Sequence, residues 1–203
     1  MPLEFWSQAV IASSHCLLVP VLWARIGLKM IVLIPMGETE GAVLEGLRQP
    51  LAQAFGQETQ IGDKMPLLRE NFYYSRNQYL ASSFLSAIPL PDPGNRVLGV
   101  VDVDIFAPGL NFVFGMADIP GRRALISLRR LRQEFYGLPR DKKLFSERTL
   151  KEAVHELGHT YGLEHCPDPT CVMHFSNRLG DTDVKSWKFC PKCQRKVNKI
   201  QQV

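Results

Sequence analysis

No run of about 20 uninterrupted apolar residues occurs in this chain, so none of it has the length and apolarity of a membrane span. The best approach to one, "VIASSHCLLVPVLWARIG" near the N-terminus, is broken by serine, histidine and proline. That stretch also lacks the basic flank of an export signal, because Glu4 precedes it and no Lys or Arg does. Residues 1–29 are read as an N-terminal extension of uncertain status. One reading is a signal or anchor; the other is a native start at Met30, directly before "IVLIPMG". Internal repeats and low-complexity tracts are also missing.

Net charge is small as well, +4 from 24 basic and 20 acidic residues, too little by itself to argue for a nucleic-acid partner. The chain of 203 residues suits one domain, in one or two lobes, with a sizeable core. A composition of 45% hydrophobic and 22% charged residues is that of a soluble globular protein, so no membrane partner is expected. Cysteine is sparse but clustered. Of Cys16, Cys166, Cys171, Cys190 and Cys193, the last four fall within 28 residues. A disulfide framework belongs to shorter secreted chains. Four thiols this close read as metal ligands in a reducing, cytoplasmic compartment. Cys16 stands outside the pattern and has no assigned role.

"MIVLIPM" (Met30 to Met36) reads as a buried strand closed by Gly37. "EGAVLEGLRQPLAQAFG" has helical apolar spacing at Val43, Leu44, Leu47, Leu51 and Phe55, with a kink or break expected at Pro50. "YSRNQYLASSFLSAI" reads as a second helix, and "PLPDPGN" as a loop. In "RVLGVVDVDIF", Val101, Val103 and Ile105 alternate with Asp102 and Asp104, the pattern of a half-exposed strand. "FVFGMAD" and "GRRALISLRRL" predict two more strands. This order gives a mixed sheet flanked by helices.

"SERTLKEAVHELGHTYG" carries the strongest helical pattern. Ser146 is the expected N-cap, Glu147 and Glu152 complement the positive helix start, and Gly162 ends the helix. Beyond it, residues 163–203 read as an irregular, core-poor lobe holding four cysteines.

His155 and His159 are four apart, one helical turn, so both imidazoles lie on one face and can converge on one zinc. Glu156, about 100° round the helix, can reach the open coordination position without taking it, as a general base for water requires. His165 is six residues past His159, too far round for a straight helix, and a sharp reversal at Gly162 lets it complete the ligand set. Isolated histidines usually decorate a surface. The longer spacing HExxHxxGxxH fixes six positions and makes that bland reading much weaker.

That motif, followed by Met173, resembles the metzincin metalloproteases, in which a methionine turn lies beneath the zinc. Within the clan, "HELGHTYGLEHCPDPTCVMHFSNRLGDTDVKSWKFCPKC" resembles the archaemetzincins. Cys166, Cys171, Met173, Cys190 and Cys193 match their pattern position by position, and "GVVDVDIFAPGLNFVFGMA" is similar to their sheet region. The resemblance covers most of residues 30–193. It implies an α+β fold: a mixed twisted sheet flanked by helices, an active-site helix, and a small zinc-stabilised C-terminal lobe. Residues 30–203 would form one catalytic domain, with an upper lobe to residue 162 and a lower lobe from 163.

Four thiolates from Cys166, Cys171, Cys190 and Cys193 would bind one closed, structural zinc. With the histidine site, two zinc ions per chain are expected. Paired disulfides or free buried thiols are the alternatives. The expected activity is zinc-dependent hydrolysis of peptide bonds in a peptide or protein substrate by a monomeric enzyme. Glu156 would move the proton, and "FVFGMAD" or its neighbour would offer an edge to the peptide. Metzincins often draw a tyrosine from beyond the methionine; no tyrosine follows Tyr161, which is expected to pack. Asp102 and Asp104 read as a solvated strand face outside the site. Two rivals remain: a zinc-containing peptide binder with little turnover, and a nucleic-acid ribbon using Lys185, Lys188, Lys192, Arg195, Lys196 and Lys199. The ribbon has few interleaved aromatics, so no nucleic-acid partner is expected.

Overall fold

The computed structural model describes residues 29–202. Residues 1–28, with Cys16 and nearly all of the uncertain extension, lie outside the described residues, as does residue 203. Thirteen elements follow in order: β1 (Met30–Met36), α1 (Gly41–Phe55), β2 (Glu58–Ile61), β3 (Phe72–Tyr73), β4 (Gln78–Leu80), α2 (Ala81–Ala87), β5 (Arg96–Val101), β6 (Ile105–Phe106), β7 (Gly115–Ala117), β8 (Arg123–Ser127), α3 (Lys142–Thr160), α4 (Leu179–Val184) and α5 (Pro191–Gln201). Among the described residues no helix is long and apolar enough to cross a membrane.

The main sheet has the order β2-β1-β5-β8-β7. Its first four strands are parallel and β7 closes one edge antiparallel to β8. Apolar side chains of α1 and α3 pack on one face, through Leu44, Leu47, Leu51, Phe55, Val154 and Leu157. Phe84, Leu85 and Ile88 from α2 and the residue after it cover the other. A parallel sheet buried on both faces calls for continuous apolar strands, and every residue of β5, Arg-Val-Leu-Gly-Val-Val, is buried. The expected mixed sheet flanked by helices is therefore present.

Several local expectations change. "RVLGVVDVDIF" is not one alternating strand. The chain leaves the sheet after Val101 because Asp102 and Asp104 turn to Arg132 and Arg130, and only Ile105–Phe106 resumes pairing, with β4. "YSRNQYLASSFLSAI" is helical only from Ala81. Residues 74–77 form a turn with Asn77 at φ 53°, a left-handed conformation that asparagine tolerates, and Tyr79 pairs with Ile105 in a small sheet β3-β4-β6. Pro50 lies inside α1 without ending it. Helix α3 starts at Lys142 rather than after Ser146. Asp141 caps it by accepting from the Leu144 N–H, and the Ser146 hydroxyl donates to the Lys142 carbonyl within the helix. The C-terminal lobe is less irregular than its prolines suggest, since α4 and α5 order it and Val197 joins the main core.

Candidate active site

Helix α3 drives its second half into the protein, with residues 151–160 all buried. His155 and His159 sit one turn apart there, ring centroids 4.7 Å from each other. Each ring is oriented by its Nδ1, which lies 2.8 Å from the Val172 carbonyl in His155 and 2.7 Å from the Leu163 carbonyl in His159. A carbonyl only accepts, so Nδ1 carries the proton and each Nε2 presents a bare lone pair. The two Nε2 atoms face each other at 3.1 Å. Two lone pairs at that separation repel unless a cation lies against both.

The third imidazole arrives by the reversal at Gly162. This glycine has φ 68°, and the Leu163 N–H donates to the Gly158 carbonyl while the Gly162 N–H donates to that of His159. That is the Schellman end of a helix, which needs a residue free to adopt the left-handed region. His165 then lies with its centroid 5.4 Å from that of His155 and 5.0 Å from that of His159. One ligand nitrogen from each of the three comes within 4.8 Å of the others. Burial, followed by the nearby Lys185 ammonium, holds His155 well below the usual imidazole range, and burial also lowers His159. Neutral imidazoles are what a metal requires. The donor set fits a zinc ion.

Glu156 is buried beside these rings. Burial raises its carboxyl well above the usual range, and the neighbouring Glu152 adds to the rise. Its side chain lies directly under β7: a Cβ on Gly115 would stand 2.5 Å from Glu156 Cγ and 2.6 Å from Oε1. Met173 is fully buried below α3, and a Cβ on Gly158 would stand 2.5 Å from its sulfur. The glycine in "HELGH" is thus the seat of the methionine. Above the imidazoles an open cavity of about 430 Å³ is walled by the segment around Leu110 to Ala117 and by Phe175.

The four cysteines also converge. Their sulfurs all lie within 4.8 Å of one another, and each thiol is free, so the disulfide alternative does not apply among the described residues. Cys190 caps α5 and Cys193 lies on its first turn, while the Cys166 N–H donates to the Met173 carbonyl. Burial raises Cys171 and Cys193. Burial would raise Cys190 too, but hydrogen bonds from the Cys193 backbone and neighbouring thiols outweigh it and bring it down to about 7. Crowded sulfurs resist sharing negative charge, which a divalent cation relieves. One dipeptide, His165-Cys166, links this cluster to the histidine site, its halves belonging to the two donor sets.

Two side chains escaped sequence reasoning. Lys185, counted in the basic tail, is wholly buried and pairs at 2.9 Å with Glu152, which lines the cavity. Charge patterning gave no signal, because a buried lysine and a solvated one look alike in sequence. Asp102 and Asp104 do not line the cavity, and instead of the expected solvated strand face they form mostly buried ion pairs with Arg132 and Arg130. Tyr161 packs, stacking on Phe55 and donating to Gln57.

Comparison with known proteins agrees with this geometry. A family model described as peptidase family M54 matches residues 93–199. The archaemetzincin of Pyrococcus abyssi is 49% identical over 178 residues, covering 84% of this chain and 95% of that protein. The archaemetzincin of Methanocaldococcus jannaschii is 44% identical over 163 residues, 80% of this chain and 89% of that one. The chain belongs to peptidase family M54. The crystal structure of the archaemetzincin from Methanopyrus kandleri superposes with a TM-score of 0.77 at 35% identity, covering 89% of this chain and 99% of that one. That from Archaeoglobus fulgidus gives 0.73 at 36% identity, over 82% and 99%. As an M54 member the protein is a zinc metallopeptidase with the archaemetzincin fold, and a peptide or protein is its substrate.

Proposed function

We propose that His155, His159 and His165 hold the catalytic zinc and that Glu156 is the general base of peptide-bond hydrolysis. The observation that carries this reading is the pair of Nε2 atoms 3.1 Å apart, each ring held through Nδ1 by a carbonyl, beside the buried Glu156 side chain at the floor of an open cavity. When bound, zinc supplies a Lewis acid that polarises the scissile carbonyl and acidifies a water molecule. Glu156 accepts the proton of the attacking water and later delivers it to the leaving amine. The backbone of Val172 and Leu163 keeps the imidazoles in the tautomer that presents Nε2.

The peptide is held by β7. This strand ends the main sheet, so among the described residues its outer edge has no sheet partner, and Gly115, Met116 and Ala117 line the cavity. An extended substrate adds there through main-chain hydrogen bonds. Cys166, Cys171, Cys190 and Cys193 hold a second, structural zinc that fixes the lower lobe, residues 163–203, against the upper one within a single catalytic domain. The freedom of all four thiols and their convergence support this.

Peptide-library cleavage read by mass spectrometry, with and without chelator, tests the reading. Cleavage that disappears with chelator and falls by about 10²–10⁴-fold in Glu156→Gln supports it. Unchanged hydrolysis in that variant removes the general-base role. A zinc-loaded protein that binds peptides and cuts none favours the binding module instead.

A further inference from the structure

The cavity has walls as well as a floor, and they differ in chemistry. The floor is polar, made by the imidazoles, Glu152 and Glu156. The upper wall, between β6 and β7, is apolar and includes Leu110, Phe112 and Val113, with Phe175 facing them from the lower lobe. No Lys or Arg lines it among the described residues. A volume of about 430 Å³ lies within the ordinary range of ligand pockets.

Phe112 is braced from outside the cavity. The Arg130 guanidinium lies 4.3 Å from its ring centroid. Arg130 in turn is gripped by both carboxylate oxygens of Asp104, at 2.6 and 2.7 Å. Both side chains of that pair are mostly buried. Phe114 meets the same ring edge-on, with centroids 5.1 Å apart. A planar guanidinium locked by a two-point carboxylate and laid against an aromatic face allows that face one position. Phe112 belongs to no strand or helix, so these contacts, rather than a backbone ladder, hold it in place.

We infer that this wall forms a subsite for one large apolar side chain of the substrate beside the scissile bond, with Phe112 as its specificity-determining residue and Asp104–Arg130 as its positioning pair. The inference rests on the peptidase reading for the bond that is cut, though not for the side chain that is held. Leucine or phenylalanine leaves water against Phe112, Leu110 and Phe175 and gains accordingly. An acidic side chain finds no Lys or Arg on this apolar wall among the described residues, so burying it there costs its hydration without a partner. Asp104, silent in the chemistry, thereby acts on selection through Arg130.

The test uses zinc-loaded full-length protein and peptides that vary one position beside the cleaved bond among Leu, Phe, Ala and Asp. Leu and Phe peptides should exceed Ala by about tenfold in kcat/KM, with Asp peptides uncut. Phe112→Ala, Arg130→Met and Asp104→Asn should each shrink the Leu-over-Ala ratio severalfold, through KM rather than kcat. A flat preference in the parent overturns the subsite. Equal loss on every peptide in Arg130→Met overturns the positioning role. Calorimetric binding of the same peptides to Glu156→Gln protein reads the subsite without turnover. Binding ordered Leu, Ala, Asp in a protein whose parent cuts nothing sustains the subsite and removes the peptidase reading; cleavage by the parent with unordered binding does the opposite.

Discussion

The Lys185 ammonium lies 2.9 Å from a carboxylate oxygen of Glu152, with side chains 0% and 4% exposed, beneath the cavity where the imidazoles meet. Thr182 adds a hydroxyl to Glu152, and Arg148 grips Asp183 by two contacts of 2.6 Å. The end of α4 is thus tied to the active-site helix by charge. Removing one partner of a buried pair leaves an uncompensated charge, whereas removing both need cost little.

Lys185→Met should therefore destabilise the protein by about 3–5 kcal/mol, measured by denaturant unfolding. The double variant Glu152→Gln/Lys185→Met should recover most of that loss. Equal stability of the single and double variants would show that the pair is not coupled.

Gly115→Ala should abolish most peptidase activity while the metal stays bound. An added methyl collides with Glu156 and also with the Leu125 carbonyl, 2.5 Å away. The carboxylate must move, and misplacement by about 1 Å costs on the order of 10²-fold in rate. Metal analysis beside the activity assay separates this from loss of the site. Undiminished turnover would mean that Glu156 has room the structure does not show.

Gly158→Ala should disturb the site from below. Its methyl would lie 2.5 Å from the Met173 sulfur and 3.2 Å from Phe189. Overpacking of this kind costs roughly 1–3 kcal/mol. Met173→Ala in the same background should relieve part of the collision, visible as a rise in melting temperature over Gly158→Ala alone.

Native mass spectrometry should find two zinc ions per chain. Cys193→Ser should retain one and melt at a lower temperature if, as proposed, the lower lobe draws stability from a metal held by the four cysteines. If that variant keeps both ions and its melting point, the cysteine cluster is not a metal site.

The sequence by itself determined the elements whose signal is local. HELGHTYGLEH announces its helix, its donor face and its stop, because 3.6 residues per turn and the left-handed preference of glycine act within a few residues. The continuous apolar run of β1 likewise announces a buried strand, whereas β5 belongs to a stretch whose alternation reads as half-exposed, yet all its residues are buried. Tertiary structure decided what depends on partners distant in the chain. Asp102 and Asp104 alternate with valines like a solvated strand, yet arginines 26 and 30 residues further on pull them out of the sheet. Lys185 reads as one more charge in a basic tail until folding brings Glu152 to it from 33 residues away. Ring tautomers, the fit of Glu156 under Gly115 and the bracing of Phe112 follow the same rule. Spacing along the chain fixes which groups can share a face, while burial and pairing across the fold fix what those groups become.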